Sequence, residues 1–266
     1  MNIGKLIVGS MPIGNLDDLT LRMMHYLSTC DYIISDRPVD QIQRVLEKFK
    51  FKKKIIMLNS VDSSYADMDQ VNQVAKDILD GQIVLLVASE GQVAISDPGV
   101  HFIQKCITDK LPYEVLPGPC AGITAYVASG LSDSSVLIIP SVEKENIEET
   151  FNDLKNNKYI TVVHVWAKDL EIIIDYIDKN YRWFNEKLNK YVANRIIAVC
   201  CDLTMPSELI FMDWAHKIKN NKNFSLINEN TRVSLVLGEF LHTEDCDHRM
   251  CNMFRDLIPG QLDGLQ

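Results

Sequence analysis

Nowhere among the 266 residues does an uninterrupted apolar run reach the roughly 18–20 residues that a membrane-spanning helix needs. Leucine, isoleucine and valine are instead spread among charges, and no basic segment followed by an apolar run opens the sequence. The expectation is a soluble, cytosolic protein without a membrane partner. Two phosphate-binding signatures are also missing. No Gly-x-Gly-x-x-Gly follows the first strand-like run and no Gly-x-x-x-x-Gly-Lys-Ser/Thr occurs, so neither a Rossmann dinucleotide site nor a P-loop has support. Positive charge is short, with a net charge of −9, which excludes a protein that grips naked nucleic acid through its whole surface. Local basic clusters at Lys48, Lys50, Lys52, Lys53 and Lys54 and at Lys217, Lys219 and Lys222 read as solvated faces and helix C-terminal charge. The 7 cysteines are an odd number and include Cys200-Cys201 inside an apolar run, the pattern of reduced core thiols rather than of a disulfide framework.

What the chain does have is apolar content, 47%, enough for a substantial core in two domains. Strand-like and helix-like stretches alternate from the start. The pattern predicts strands at Leu6–Ser10, Tyr32–Ser35, Lys54–Leu58, Ile83–Ala88 and Tyr113–Leu116, with helices between them, including Met68–Asp80, Val100–Asp109 and Cys120–Ser129. That alternation predicts α/β architecture with a largely parallel sheet. Near Pro140-Ser141 the pattern resets through a polar linker, which places the domain boundary within 136–145 and gives domains 1–138 and 139–266 with a polar tail from about 241. The second domain is expected to hold helices at Ile147–Asn156, Asp169–Phe184 and Trp214–Asn220, and strands at Ile160–Trp166, Arg195–Cys201 and Arg232–Leu237.

In an open α/β sheet, ligands bind outside the carboxyl ends of the strands. Three loops rich in Gly, Pro and small residues fall at such ends: Met11 to Asn15, Ser89 to Gly99, and Leu116 to Ala121. Small residues let backbone N–H and C=O groups approach a ligand without side chains intervening. Asn15 with Asp18 three residues on reads as an N-cap and a capping-box-like acid. Any one of these loops alone is also compatible with a plain strand-to-helix connection.

Met11-Pro12-Ile13-Gly14-Asn15-Leu16-Asp17-Asp18-Leu19-Thr20-Leu21-Arg22, then Gly91 with Ile95-Ser96-Asp97-Pro98-Gly99, then Leu116-Pro117-Gly118-Pro119 with Ala121, Ile123-Thr124-Ala125 and Ala128-Ser129-Gly130-Leu131, carry a resemblance. Over residues 4–140 the chain resembles the ribose 2′-O-methyltransferases of small-subunit ribosomal RNA, in the tetrapyrrole-methylase-like class that uses S-adenosylmethionine. That resemblance implies two α/β domains with the cofactor in the inter-domain cleft, a homodimer, and the small ribosomal subunit or its RNA as substrate. It assigns cofactor contacts to Pro12, Ile13, Gly14, Asn15, Ser89, Gly91, Ile95, Ser96, Asp97, Pro117, Gly118, Pro119, Cys120 and Ala121. No metal is implied.

The chain departs from the family's spelling in several places. The family's Glu-Asp-Thr-Arg falls at Asp36-Arg37-Pro38-Val39, or with Asp36 and Arg37 shifted by one, its Asp-Ala-Gly-Thr-Pro at Ser89-Glu90-Gly91-Gln92-Val93, and its Glu-Ser-Pro-His-Arg at Trp166-Ala167-Lys168-Asp169. Its Glu-Leu-Thr-Lys is echoed by Asp202-Leu203-Thr204-Met205, with Glu208 following. A ribose hydroxyl must lose a proton when it is methylated, and Asp36, Glu90 and Asp97 are the candidate acids for that work. An Asp before Pro-Gly is equally a turn former.

Alternatives stay open at this level. One is a catalytically silent relative that binds the cofactor, and another is a methylase of a tetrapyrrole-like small molecule. Trp166 and Trp183 are candidates to stack on a base, although a Trp in such positions usually belongs to a core. Ser89 after a buried strand, with His101 close by, raises a serine hydrolase, but Val87 stands where the nucleophile elbow wants Gly. His242, Cys246, His248 and Cys251 are compact enough for zinc but lack the paired Cys-x-x-Cys and His-x-x-x-His spacing.

Overall fold

The computed structural model describes residues 3–36, 39–59, 66–95, 97–131, 135–152, 154, 159–180, 182–185, 190–193 and 195–240. Contacts divide the chain into two compact units: residues 1–124 with 202–208, and residues 125–201 with 209–266.

In the first unit the elements run β1 (Lys5–Val8), β2 (Ser10–Met11), α1 (Leu21–Thr29), β3 (Tyr32–Ser35), α2 (Asp40–Lys48), β4 (Lys54–Met57), α3 (Met68–Leu79), β5 (Ile83–Val87), β6 (Gly91–Gln92), α4 (Val100–Asp109) and β7 (Tyr113–Val115); α5 (Ala121–Ala128) crosses into the second. A five-stranded sheet has the order β4-β3-β5-β1-β7, and every pairing in it is parallel. The near-continuous apolar runs Leu6-Ile7-Val8, Ile33-Ile34 and Val84-Leu85-Leu86-Val87 follow from covering both faces of a parallel sheet. Side chains alternate between the two faces. Leu6, Val8, Ile34, Val84 and Leu86 pack with Val71, Val74 and Ile78 of α3 and Phe102 of α4. On the other face Ile7, Ile33, Leu85 and Val87 pack with Met23 and Leu27 of α1 and Ile42 and Val45 of α2. Each such side chain, fully buried, stabilises the unit by about 1.5–3 kcal/mol.

The helix starts are set by short polar side chains. Thr20 caps α1 by accepting the Met23 N–H at 3.1 Å, and Asp67 caps α3 through the Asp69 N–H at 2.9 Å. Asn15 therefore does not cap α1. Its side chain accepts from the Asp17 N–H at 3.0 Å and caps a single 3₁₀ turn at Leu16–Asp18, which leaves the backbone of Pro12–Asn15 as a separate turn ahead of the helix.

The second unit contains β8 (Val136–Val142), α6 (Ile147–Asn152), β9 (Ile160–Trp166), α7 (Leu170–Asn180), β10 (Arg182–Asn185), β11 (Lys190–Ala193), β12 (Arg195–Cys201), β13 (Leu209–Trp214) and β14 (Arg232–Phe240). Its five-stranded sheet has the order β13-β12-β14-β9-β8 and is mixed: β8 and β9 run parallel and the other pairs antiparallel. Val163, Val165, Val233, Leu235, Ile197 and Val199 point to one face, where Ile173, Ile174 and Ile177 of α7 and Phe151 of α6 cover them.

Several elements differ from expectation. The linker read near Pro140-Ser141 is instead the end of β8, which accommodates Pro140 on a sheet edge at a register shift between Ile139 and Val142, where a missing N–H costs little. The division between units falls at 124/125, ahead of the 138/139 boundary read from the sequence. Ala125 is fully buried and its carbonyl lies 4.0 Å from the Cys200 Sγ, which ties the second half of α5 to the second unit. The expected helix at Trp214–Asn220 is instead the end of β13 followed by a 3₁₀ turn at Ile218–Asn220. Leu-Ile-Phe-Met-Asp-Trp pairs in register with Ile196–Cys201 of β12, an arrangement that suits Ile, Phe and Trp. The helix expected to reach Phe184 stops at Asn180, and Arg182–Asn185 pairs antiparallel with β11. No helix among the described residues is long and apolar enough to cross a membrane.

Candidate functional site

Strand order decides which loops can meet. Because β3, β5, β1 and β7 are successive neighbours, and Ser35 pairs with Val87 while Val8 pairs with Leu86 and Val115, their carboxyl ends finish side by side. Asp36, Ser89, the Ser10–Asn15 turn and the Leu116–Ala121 turn leave from those four ends. Specific bonds then join them. β2 folds back onto β6, pairing Met11 with Gly91 and Ser10 with Gln92. The Ser10 hydroxyl donates to the Pro119 carbonyl at 2.6 Å, and the Gln41 side-chain amide donates to the Pro12 carbonyl. Gly118 permits the approach of the third turn to the first. A Cβ there would stand 2.6 Å from the Ser10 Cβ, so any other residue would force the two apart.

The structure thus brings Pro12, Ile13, Gly14, Asn15, Ser89, Gly91, Pro117, Gly118, Pro119, Cys120 and Ala121 to one end of one sheet. Gly91 is buried, Pro12 is buried, and Pro117 and Gly118 are exposed. Ile95 lies further along the Ser89–Gly99 loop with an exposed side chain. Ser96 lies outside the described residues, as do His242, Cys246, His248 and Cys251 in the tail.

Asp36 follows β3 directly and is half-buried. Its Oδ1 accepts the Ser89 N–H, with the Ser35 hydroxyl 3.4 Å away. Burial pushes its carboxyl above the usual carboxylate range, the Ser89 N–H pulls it back, and the negative charge of Asp97 pushes it up again. Asp97 holds its own loop. Its Oδ2 accepts the Ala94 N–H and its Oδ1 the Gly99 N–H, both at 2.8 Å, and Ala94 sits in the left-handed region at φ 68°. Glu90 is exposed. The arrangement offers a partly desolvated carboxylate beside a surface made mostly of backbone. The His101 Nδ1 lies 3.0 Å from the Pro98 carbonyl, so that ring is occupied within its own turn.

Ser10 and Gln41 were not among the residues read from the sequence as candidates. Their contacts span 109 and 29 residues, and the one signal available for Ser10 was a polar residue closing an apolar run. Segment 202–208 belongs to the first unit as well, with the Thr204 hydroxyl accepting the Asn15 N–H at 2.9 Å.

In the second unit, considered by itself, the Arg232 guanidinium lies over the Trp166 ring at 4.0 Å. His164 Nδ1 stands 2.9 Å from the Ser234 hydroxyl, and burial holds its imidazole below the usual histidine range. The Trp183 side chain is outside the described residues. Among the described residues no group of three or more His, Cys, Asp or Glu is placed to hold a metal ion.

The family described as Tetrapyrrole (Corrin/Porphyrin) Methylases matches residues 5–215. The chain belongs to this family. Among relatives of the tetrapyrrole methylase chain, the Ribosomal RNA small subunit methyltransferase I of a Hydrogenobaculum species is 34% identical over 152 residues, covering 56% of this chain and 64% of that protein. The chain therefore spans less than two thirds of that relative's length. The protein of the same name from Halalkalibacterium halodurans is 24% identical over 235 residues, covering 85% of this chain and 76% of its own. The solved uroporphyrin-III C-methyl transferase from Thermus thermophilus, complexed with S-adenyl homocysteine, shares the tetrapyrrole methylase fold. It matches at a TM-score of 0.58 and 13% identity over 89% of this chain and 97% of that one.

Proposed function

We propose that this tetrapyrrole methylase family member is an S-adenosylmethionine-dependent methyltransferase. Its substrate is a ribose 2′-hydroxyl in small-subunit ribosomal RNA, and it works in the cytoplasm as a homodimer. The names of the curated relatives support the substrate, and the S-adenyl homocysteine in the uroporphyrin enzyme, the demethylated form of the cofactor, supports the cofactor. The single observation that carries the reading is the joining of the Pro12–Asn15, Ser89–Gly91 and Pro117–Ala121 turns at one sheet end by the Met11–Gly91 pairing and the Ser10–Pro119 bond.

The residues present fit such a cofactor. Glycine at 91 and 118 keeps the turn backbones close, so their N–H and C=O groups are available to a polar ligand, and Pro12, Ile13, Gly14, Asn15, Ser89, Gly91, Ile95, Pro117, Gly118, Pro119, Cys120 and Ala121 would hold it. When bound, S-adenosylmethionine supplies a methyl group on a positively charged sulfur for an in-line displacement. The chain's own contribution is chiefly alignment, which in the best cases lowers a barrier by roughly 7–11 kcal/mol. Asp36 takes the ribose proton. A carboxyl raised by burial is a better proton acceptor at neutral pH than an ordinary one, and the Ser89 N–H fixes the oxygen that does not receive the proton. Asp97 acts by keeping its loop in shape, and Glu90, exposed beside Gly91 in sequence, is the remaining acid.

Titration of the protein with S-adenosylhomocysteine tests the cofactor site. Transfer of labelled methyl to small ribosomal subunits that lack the modification, compared with transfer to a tetrapyrrole, then tests the acceptor. Saturable binding with label in ribose is the expected result. Binding without transfer to either acceptor makes the chain a silent relative, transfer to the tetrapyrrole alone changes the substrate class, and no binding at millimolar ligand removes the reading.

A further inference from the structure

Segment 202–208 leaves the second sheet between β12 and β13, yet it packs as part of the first unit. Its contact is with the Gly14–Asn15 turn. The Thr204 hydroxyl accepts the Asn15 N–H at 2.9 Å, and the Glu208 carboxylate accepts the Thr204 N–H at 2.8 Å. Gly14 lies so close that a Cβ on it would stand 2.6 Å from the Leu203 carbonyl oxygen and 2.8 Å from the Thr204 hydroxyl. The loop adopts a costly shape to do this. Asp202 sits at φ 48° and Thr204 at φ 67°, and a β-branched residue in the left-handed region is a genuine outlier. Within the loop the Ser207 hydroxyl donates to the Asp202 carboxylate at 2.9 Å and the Glu208 N–H to the Met205 carbonyl at 2.9 Å, so the surroundings hold the strained residues in place. Strain that is held in this way clusters at functional sites.

We propose that Thr204 and Glu208 are positioning residues for the cofactor site: Glu208 fixes the strained Thr204, and Thr204 fixes the backbone of the Gly14–Asn15 turn in the form that receives S-adenosylmethionine. The inference rests on the reading of that turn as cofactor-binding. Neither side chain is required to touch the ligand. Gln41 and Gly91 fix the same turn at Pro12 and Met11, so the Thr204 bond supplies the constraint at its far end.

A stability role and a positioning role make opposite demands on one substitution. Thr204→Gly removes the hydroxyl and also removes the steric penalty at φ 67°, so it melts no lower than wild type while its affinity for S-adenosylhomocysteine falls roughly tenfold. Thr204→Ser keeps the hydroxyl and keeps the affinity within about twofold. Glu208→Ala follows Thr204→Gly in affinity, and Glu208→Gln, which retains an acceptor oxygen, follows wild type. Titration calorimetry with S-adenosylhomocysteine and thermal melts on the full chain read both quantities. Wild-type affinity in Thr204→Gly, or an equal loss in Thr204→Ser, overturns the positioning role and leaves the cofactor reading intact. Failure of the wild-type chain to bind removes both.

Discussion

The hydroxyl of Ser10 donates to the carbonyl of Pro119 at 2.6 Å across 109 residues of sequence, and it locks the turn after β1 to the turn after β7. Ser10 is only 2% exposed, so its hydroxyl makes this bond inside the protein rather than to water. Ser10→Ala leaves the Pro119 carbonyl without this partner and is expected to cost about 1 kcal/mol of stability. Because the two turns belong to the proposed cofactor surface, affinity for S-adenosylhomocysteine falls about tenfold as well. A melt that shifts while affinity stays at the wild-type value would confine Ser10 to a structural role.

Gly118 faces the same residue. A methyl group at this position would lie 2.6 Å from the Ser10 Cβ and 3.0 Å from its hydroxyl, closer than packed atoms approach. Gly118→Ala is therefore expected to destabilise by about 1–3 kcal/mol and to weaken S-adenosylhomocysteine binding at least roughly tenfold. Ser10→Gly in the same chain clears the space, so the double variant recovers part of the packing loss in a double-mutant cycle. Additive losses in that cycle would place the clash elsewhere.

Away from the site, Glu114 on β7 joins three elements. It accepts from the Tyr26 hydroxyl at 2.7 Å and from the Lys5 ammonium at 3.0 Å, and it pairs with Arg22, which clips α1 to the sheet edge. These partners, Tyr26 first, hold its carboxyl down at about 2. A depressed folded value means stability that is present above the unfolded carboxylate value of 4.5 and lost as pH falls from there toward about 2. Solvent screening at this partly exposed site limits the contribution to about 1 kcal/mol. Glu114→Gln should melt lower at pH 7 and lose part of the wild-type decline between pH 4.5 and 2. Parallel melting curves across that range would show that the cluster contributes nothing.

The central strands of the first sheet were legible because burial on both faces writes itself as apolar runs such as Val84-Leu85-Leu86-Val87. The three turns were legible too, since glycine and proline mark places where backbone must bend. What joins the turns was not. The Ser10–Pro119 and Thr204–Asn15 bonds link residues 109 and 189 positions apart, and no local pattern carries that information. β8 was hidden by Pro140, which reads as a break until the strand is known to lie on an edge with a bulge. β13 was hidden because Trp214 begins a helix-like spacing, whereas pairing along β12 decides its conformation. Asp97 was legible as a turn former and as a site acid alike, and its two bonds to Ala94 and Gly99 favour the first.

Asp36 is where stability and activity are expected to part. Burial and the charge of Asp97 place its folded value above the ordinary 3.8, so the folded state keeps this proton at a pH where the unfolded chain has released it. With more protons bound in the folded state, stability falls as pH rises from about 3.8 through the folded value, and the ionised carboxylate is a net cost at neutral pH. Asp36→Asn removes that cost and should melt no lower than wild type at pH 7. As the proton acceptor, the same residue must be ionised to work, so wild-type turnover falls on the acid side through a value above 3.8. Asp36→Asn should lower kcat by roughly 10²–10⁴, flatten that acid limb, and leave S-adenosylhomocysteine binding near wild type. If kcat survives with its acid limb unchanged, another group takes the ribose proton, and Glu90 becomes the residue to replace next.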